Sequence, residues 1–274
     1  MSNEPKGTLV VIGGHEEKSG NPDILSRFVE LSGGEEARLV VMTSASTKPE
    51  RMGLEYEVLF TKLGARSAES VHSDECRGNP RRVLELLERA TGVFFIGGQP
   101  YRIIDAIKGT PIDDLLHKRY AEGLVLAGTS AGALMMPEVV ITDGESKTHP
   151  TDNTIESAPG MGFLRGVVVD VHFAERGRCG RMLSALARFP DCLGLGIDED
   201  AALVIHRGEC EVLGGGSVFF FDPGAPDFRD FSPTDRPEIA LAGVRLHVLP
   251  SGYHFNLSTR TPQAPSTAVD APTG

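Results

Sequence analysis

The 274-residue sequence is poor in cysteine: Cys76, Cys179, Cys192 and Cys210 stand far apart, and no two form a C-x-x-C pair. That excludes a disulfide scaffold and argues against a thiolate zinc site. The expectation is four reduced thiols, mostly packing groups, in a cytoplasmic protein. Long hydrophobic runs are also lacking; none approaches the roughly 20 apolar residues that a membrane helix needs. The polar start Met1-Ser2-Asn3-Glu4-Pro5-Lys6 carries no apolar leader. Positive charge is in deficit: 27 Lys and Arg against 38 Asp and Glu give a net charge of −11. Such a chain is a poor non-specific binder of nucleic acid or of an anionic membrane. Internal repeats are not visible, and the glycine loops at Gly13 and Gly97 lack the G-x-G-x-x-G spacing of nucleotide binding. What remains is ordinary globular composition, 40% hydrophobic and 24% charged, with enough chain for a real core.

Short apolar runs at 9–12, 39–42, 93–96 and 124–127 read as buried strands. They alternate with amphipathic stretches at 23–31, 82–90 and 112–122. Ser32-Gly33-Gly34 stops the first helix, and Thr110-Pro111 starts the third as cap and first turn. Continuous apolar strands bounded by glycine loops imply a mostly parallel sheet covered by helices on both faces, an α/β fold. After Pro137 the stretch 143–162 turns polar and rich in Thr, Gly and Pro, a length that suggests a functional loop. A strand at 167–171 and a helix at 180–189 follow. Runs at 195–197, 201–205, 210–213 and 218–221 read as strands joined by tight turns, a mixed or antiparallel extension of the sheet. The expectation is one α/β domain over 1–259 and a disordered tail over 260–274.

The sharpest chemical feature is Gly128-Thr129-Ser130-Ala131-Gly132-Ala133 directly after a strand. G-x-S-x-G between a strand and a helix is the nucleophile-elbow pattern; the glycines are there because a Cβ on either side of the tight turn would clash. The turn lifts the Ser130 hydroxyl above the sheet and points the Ala131 amide where an oxyanion would develop. A serine needs a base. Of eight histidines, His172 ends the strand at 167–171, and carboxyl ends of parallel strands are where α/β sites gather; His15, also after a strand, is the runner-up. The base needs an orienting acid. Asp198, Glu199 and Asp200 stand together at another strand end; Glu199 is the choice, with a solvated turn the competing account of its two neighbours. Arg176, Arg178 and Arg181 cluster where the helix at 180–189 begins. Cations there oppose the helix dipole, and arginine grips carboxylates bidentately, so the cluster suggests a carboxylate site against a solvated basic face.

Taken together, Gly13-Gly14-His15-Glu16-Glu17-Lys18, the elbow Gly128 to Ala133, Asp170-Val171-His172-Phe173 with Arg176, Arg178 and Arg181, and Gly196-Ile197-Asp198-Glu199-Asp200 resemble cyanophycinase, in order from about residue 8 to about residue 222. The resemblance implies a flavodoxin-like or glutamine-amidotransferase-like sheet and, usually, a homodimer. It implies a cofactor-free, metal-free serine peptidase, related to aspartyl dipeptidases, that cuts arginyl-polyaspartate into β-aspartyl-arginine. It makes Ser130 the nucleophile, His172 the base and Glu199 the orienting acid. Asp170, Arg176, Arg178 and Arg181 fall on its pocket positions, and the Gly98 amide joins Ala131 as an oxyanion donor.

The chain departs from the family pattern where substrate is held. Gly97-Gly98-Gln99-Pro100 replaces Gly-Gly-Asp-Gln, Val171 replaces a glutamine, and Leu134-Met135-Met136-Pro137 stands where serines are frequent. Gln99 is the residue available to replace the displaced glutamine, with Pro100 constraining its loop. A site built to hydrogen-bond its substrate discriminates strongly. A cyanophycin peptidase, a peptidase for another β-aspartyl or acidic peptide, and a non-catalytic binder on the same scaffold therefore stay open.

Overall fold

The computed structural model describes residues 5–144, 155–224, 228–230 and 239–265. Residues 145–154, half of the expected 143–162 loop, and the end of the chain from 266 lie outside them. Five parallel strands form the centre: β1 (Thr8–Ile12), β2 (Arg38–Met42), β3 (Ser67–Val71), β4 (Gly92–Phe95) and β5 (Val125–Thr129). Between them run α1 (Asp23–Leu31), α2 (Pro49–Lys62), α3 (Ser73–Gly78), α4 (Arg81–Arg89), α5 (Pro100–Ile107) and α6 (Pro111–Glu122). Thr110 caps α6 as expected, its hydroxyl accepting from the Ile112 amide at 3.2 Å. After β5 come α7 (Ala131–Leu134), β6 (Pro137–Gly144), β7 (Ile155–Pro159), β8 (Leu164–Val171) and α8 (Cys179–Arg188). The rest is strand: β9 (Leu193–Ile197), β10 (Ala201–His206), β11 (Glu209–Gly214), β12 (Ser217–Asp222), β13 (Phe228–Asp230), β14 (Ala240–Ala242), β15 (Arg245–Pro250), β16 (His254–Asn256) and β17 (Thr261–Gln263).

The α/β architecture is the expected one, but the later strands do not simply extend one sheet. A nine-stranded sheet runs β17-β16-β11-β10-β1-β5-β4-β2-β3, and a second, six-stranded sheet runs β15-β12-β9-β8-β6-β7. β10 and β11 add antiparallel strands beside β1, whereas β9 and β12 belong to the second sheet. The expected tail boundary at 260 is also corrected. Thr261–Gln263 pairs with β16, and Arg260 donates to Asp222 at 2.6 Å.

The central strands are buried on both faces and alternate between two cores, as a period of two requires. From β1, Val10 and Ile12 face α1 and α2 with Phe28, Tyr56, Phe60 and Phe94. Their rings meet at centroid distances of 4.8 to 5.7 Å, contacts worth roughly 0.5–1.5 kcal/mol each beyond the area buried. Leu9 and Val11 face the other way, into a core shared with Val169 and Val171 of β8 and Leu195 and Ile197 of β9. The second sheet therefore packs across one face of the first, and the carboxyl ends of β1, β5, β8 and β9 converge.

Candidate active site

The convergence is held by the chain itself. Three successive backbone carbonyls at the end of β1 each take an amide from a different segment. Ile12 accepts from Ser130 at 3.0 Å, Gly13 from His172 at 3.0 Å and Gly14 from Asp200 at 2.9 Å. So close an approach demands glycine. A Cβ on Gly13 would lie 1.9 Å from the Asp198 carbonyl oxygen, and one on Gly14, at φ +110°, would lie 2.3 Å from the His172 ring. The elbow glycines obey the same rule: a Cβ on Gly128 would meet the Gly132 carbonyl oxygen at 2.3 Å, and one on Gly132 the Phe95 carbonyl oxygen at 2.2 Å. Ser130, His172, His15 and Asp200 all adopt positive φ, between +48° and +53°. Non-glycine residues rarely do so, and such backbone clusters where surrounding structure over-determines it.

The three side chains singled out from the sequence meet in file. Ser130 Oγ lies 2.9 Å from His172 Nε2, and His172 Nδ1 lies 2.7 Å from Glu199 Oε1. An ionised carboxylate only accepts, so His172 Nδ1 carries the ring proton and Nε2 keeps the lone pair that accepts from the Ser130 hydroxyl. Hydrogen bonds from His15 and then His172 hold the Glu199 carboxyl below its ordinary pKa. Burial pushes the His172 pKa down; Arg176 and His15 push the same way, and Glu199 opposes them. The balance favours the neutral imidazole, the form a general base needs. His15, the runner-up base, is not a bystander: its Nδ1 lies 2.8 Å from Glu199 Oε2, so two histidines share one carboxylate. His15, His172 and Glu199 also form a donor set of the kind that binds transition metals.

The acids beside Glu199 are not a solvated turn. Asp198 accepts from the Ala174 amide at 2.9 Å, and Asp200 accepts from the Glu17 amide at 2.9 Å. Both pin loops that flank the site. Gly97 packs against Ser130, where a Cβ would come 3.4 Å from that of the serine. Gly98 follows at φ +146°, and a Cβ there would lie 2.1 Å from the Ala45 carbonyl oxygen. Ala131 opens α7, which is a single turn of four residues, so its dipole is slight and the amide itself is what the elbow offers. Gln99 is exposed beside this loop, accepting from the Tyr101 hydroxyl, and Pro100 is the first residue of α5.

The arginine cluster divides. Asp170 is 0% exposed and Arg178 and Arg181 are 7% and 4% exposed. Asp170 accepts from Arg178 Nη1 at 2.6 Å and from Arg181 Nε and Nη2 at 2.8 and 3.0 Å. The three arginines therefore differ in setting. Asp170, Arg178 and Arg181 pair inside the protein, with Arg178 Nε left without a partner among the described residues, while Arg176 is exposed beside His172. Glu16 was not singled out from the sequence, yet it is a buried carboxylate under the elbow. It accepts from the Tyr56 and Thr129 hydroxyls, both at 2.6 Å. In the sequence it stands only within the Gly13-to-Lys18 motif, with no role assigned.

A hydroxyl, an imidazole and a carboxylate in this file, at the carboxyl ends of an α/β sheet, define a class: the serine-type hydrolases. The model of peptidase family S51 matches residues 9–213. The cyanophycinase of Geminocystis herdmanii (strain PCC 6308) is 35% identical over 263 residues, covering 94% of this chain and 97% of its own. Those of Synechococcus elongatus and Trichormus variabilis (strain ATCC 29413 / PCC 7937) are each 36% identical, covering 94% and 93% of this chain and 81% and 87% of theirs. Among solved structures, a peptidase from an acI-B1 actinobacterium shares the fold with a TM-score of 0.66 at 21% identity, over 91% of this chain and 96% of that one. A putative peptidase E from Listeria monocytogenes EGD-e aligns with a TM-score of 0.54 at 14% identity, over 77% of this chain and 99% of that one. The chain belongs to peptidase family S51 and is a serine-type peptidase.

Proposed function

We propose that this protein hydrolyses cyanophycin to β-aspartyl-arginine dipeptides through a Ser130-His172-Glu199 triad and an acyl-enzyme. The observation that carries the reading is the unbroken file from Ser130 Oγ through His172 to Glu199, at 2.9 and 2.7 Å, in a chain that matches cyanophycinases over more than nine-tenths of its length. His172 Nε2 takes the Ser130 proton as Oγ attacks an aspartyl backbone carbonyl. The Ala131 and Gly98 amides receive the oxyanion. The imidazolium, steadied by Glu199, returns the proton to the leaving nitrogen, and water then releases the acyl group by the reverse steps. Arg176 is the cation left to meet an aspartyl carboxylate, and Gln99 the nearby polar side chain.

A second reading, the same chemistry on a different β-aspartyl or acidic peptide, is favoured by one observation: three pocket residues implied by the resemblance pair with one another in a buried ion cluster. A homodimer in the cytoplasm belongs to the family reading; four free thiols suit a reducing compartment. The test is to incubate the purified protein with cyanophycin and, in parallel, with β-aspartyl and α-linked acidic peptides, and to identify products by mass spectrometry. β-Aspartyl-arginine from the polymer is expected. Cleavage of β-aspartyl peptides alone selects the second reading, and no cleavage by folded protein overturns both.

A further inference from the structure

The triad explains one oxygen of Glu199. The other, Oε2, is taken by His15 Nδ1 at 2.8 Å, and neither the nucleophile nor the base requires that contact. His15 stands at the mouth of the site, its side chain 72% exposed, and Glu199 is 28% exposed. The His15 and His172 rings meet edge to face at 5.2 Å between centroids. One donor atom from each of His15, His172 and Glu199 lies within 4.8 Å of the others.

Two imidazoles and a carboxylate are a donor set that zinc, cobalt and copper accept. Tetrahedral zinc at about 2.0–2.2 Å from each donor would hold the donors roughly 3.3–3.6 Å apart. The separations here are close to that range: 2.7 and 2.8 Å from the carboxylate oxygens to the two nitrogens, and no more than 4.8 Å anywhere in the set. The backbone is already fixed for it, with His15 following Gly13-Gly14 and held at φ +50°. The exposed His15 edge gives an ion a path from solvent and room for a water as fourth ligand.

We propose that His15, His172 and Glu199 form a regulatory transition-metal site, and that a bound zinc ion switches the peptidase off. The ion replaces the two N–H to carboxylate hydrogen bonds, and each neutral ring keeps its single proton by carrying it on Nε2. On His172 that proton then faces Ser130 Oγ. Nε2 becomes a donor instead of an acceptor, and the serine has nothing to take its proton. The inhibitory half of the proposal rests on His172 acting as the base; the binding half does not.

Binding is therefore read separately from turnover. Metal-free protein is titrated with Co2+, following visible absorption and calorimetry, for wild type, Ser130→Ala, His15→Ala and His15→Gln. Far-UV circular dichroism and melting check that each variant is folded. Wild type and Ser130→Ala are expected to bind one ion with equal affinity. Both His15 variants should bind at least about tenfold more weakly, since losing a ligand costs no less than losing a group that merely supports one. In parallel, Zn2+ is titrated into the hydrolysis assay, with each rate taken relative to that variant's own metal-free rate. Wild type should be inhibited and recover with chelator, and the half-inhibiting concentration should rise at least about tenfold in the His15 variants. No binding by wild type, or equal binding by folded His15 variants, overturns the site. Binding without inhibition overturns the switch. If no substrate is found, the Co2+ titration still decides the site, so the two readings fail separately.

Discussion

Replacing Asp170 by asparagine separates a structural role from a substrate-binding one. Asp170 is fully buried and accepts from both guanidinium groups and from the Val171 amide at 3.0 Å. Asparagine keeps the shape but removes the charge and turns an N–H toward the arginines. Two buried guanidinium groups then lose the one carboxylate they pair with among the described residues. Breaking a buried ion cluster in this way costs about 3–5 kcal/mol, a large share of the roughly 5–15 kcal/mol that holds a domain folded. At about 2–4 °C per kcal/mol for a domain of this size, the melting temperature should fall by roughly 6–20 °C. The assay is thermal and urea unfolding of Asp170→Asn beside wild type, with steady-state kinetics at a temperature where both are folded. Replacing Asp170, Arg178 and Arg181 together by apolar residues of similar volume should restore much of the loss, because the charges then vanish together. A melting temperature within about 2 °C of wild type, with KM raised many-fold, would refute the reasoning and return these residues to the substrate.

Three other substitutions probe the site. Arg176→Gln removes a cation that disfavours His172 protonation; the His172 pKa should rise, so the acid limb of the kcat/KM profile should move to higher pH, most clearly at low salt. Gly14→Ala drives a methyl into the His172 ring; kcat should fall by at least about tenfold, as misplacing a base by even an ångström does, while an unchanged kcat would mean the ring is not where activity needs it. Glu16→Gln weakens two hydrogen bonds to a buried carboxylate and should cost about 1.5–3 kcal/mol in urea unfolding.

The parts of the site legible in the sequence were those that local chain geometry determines. G-x-S-x-G after an apolar run needs only a tight turn, and the glycines at Gly128 and Gly132 serve the close approaches it requires. His172 and Glu199 could be chosen because strand ends are where such groups point. Less legible was whatever depends on which side chains meet across elements. Asp170 reads, through the resemblance, as a pocket position, and its burial against α8, where it alternates with Val171 in β8, is not visible in the sequence. The Asp198-to-Asp200 turn looks like a hairpin, but β9 before it and β10 after it join different sheets, a choice made by packing. α2 and β3 left little apolar signal. β3 is an edge strand with only Val71 buried, and α2 carries Gly53, where a Cβ would meet Ser70 at 2.7 Å. His15 could be listed as a candidate base, but its claim on Glu199 needed the two strand ends side by side.

The most direct test of the central claim is the rate and product of cyanophycin digestion by wild type against Ser130→Ala, followed by mass spectrometry on folded, metal-free protein. The account predicts β-aspartyl-arginine from wild type and a rate lower by roughly 10⁴-fold or more from Ser130→Ala, with the melting temperature unchanged. The same product at a similar rate from both proteins would contradict it and remove Ser130 from the chemistry.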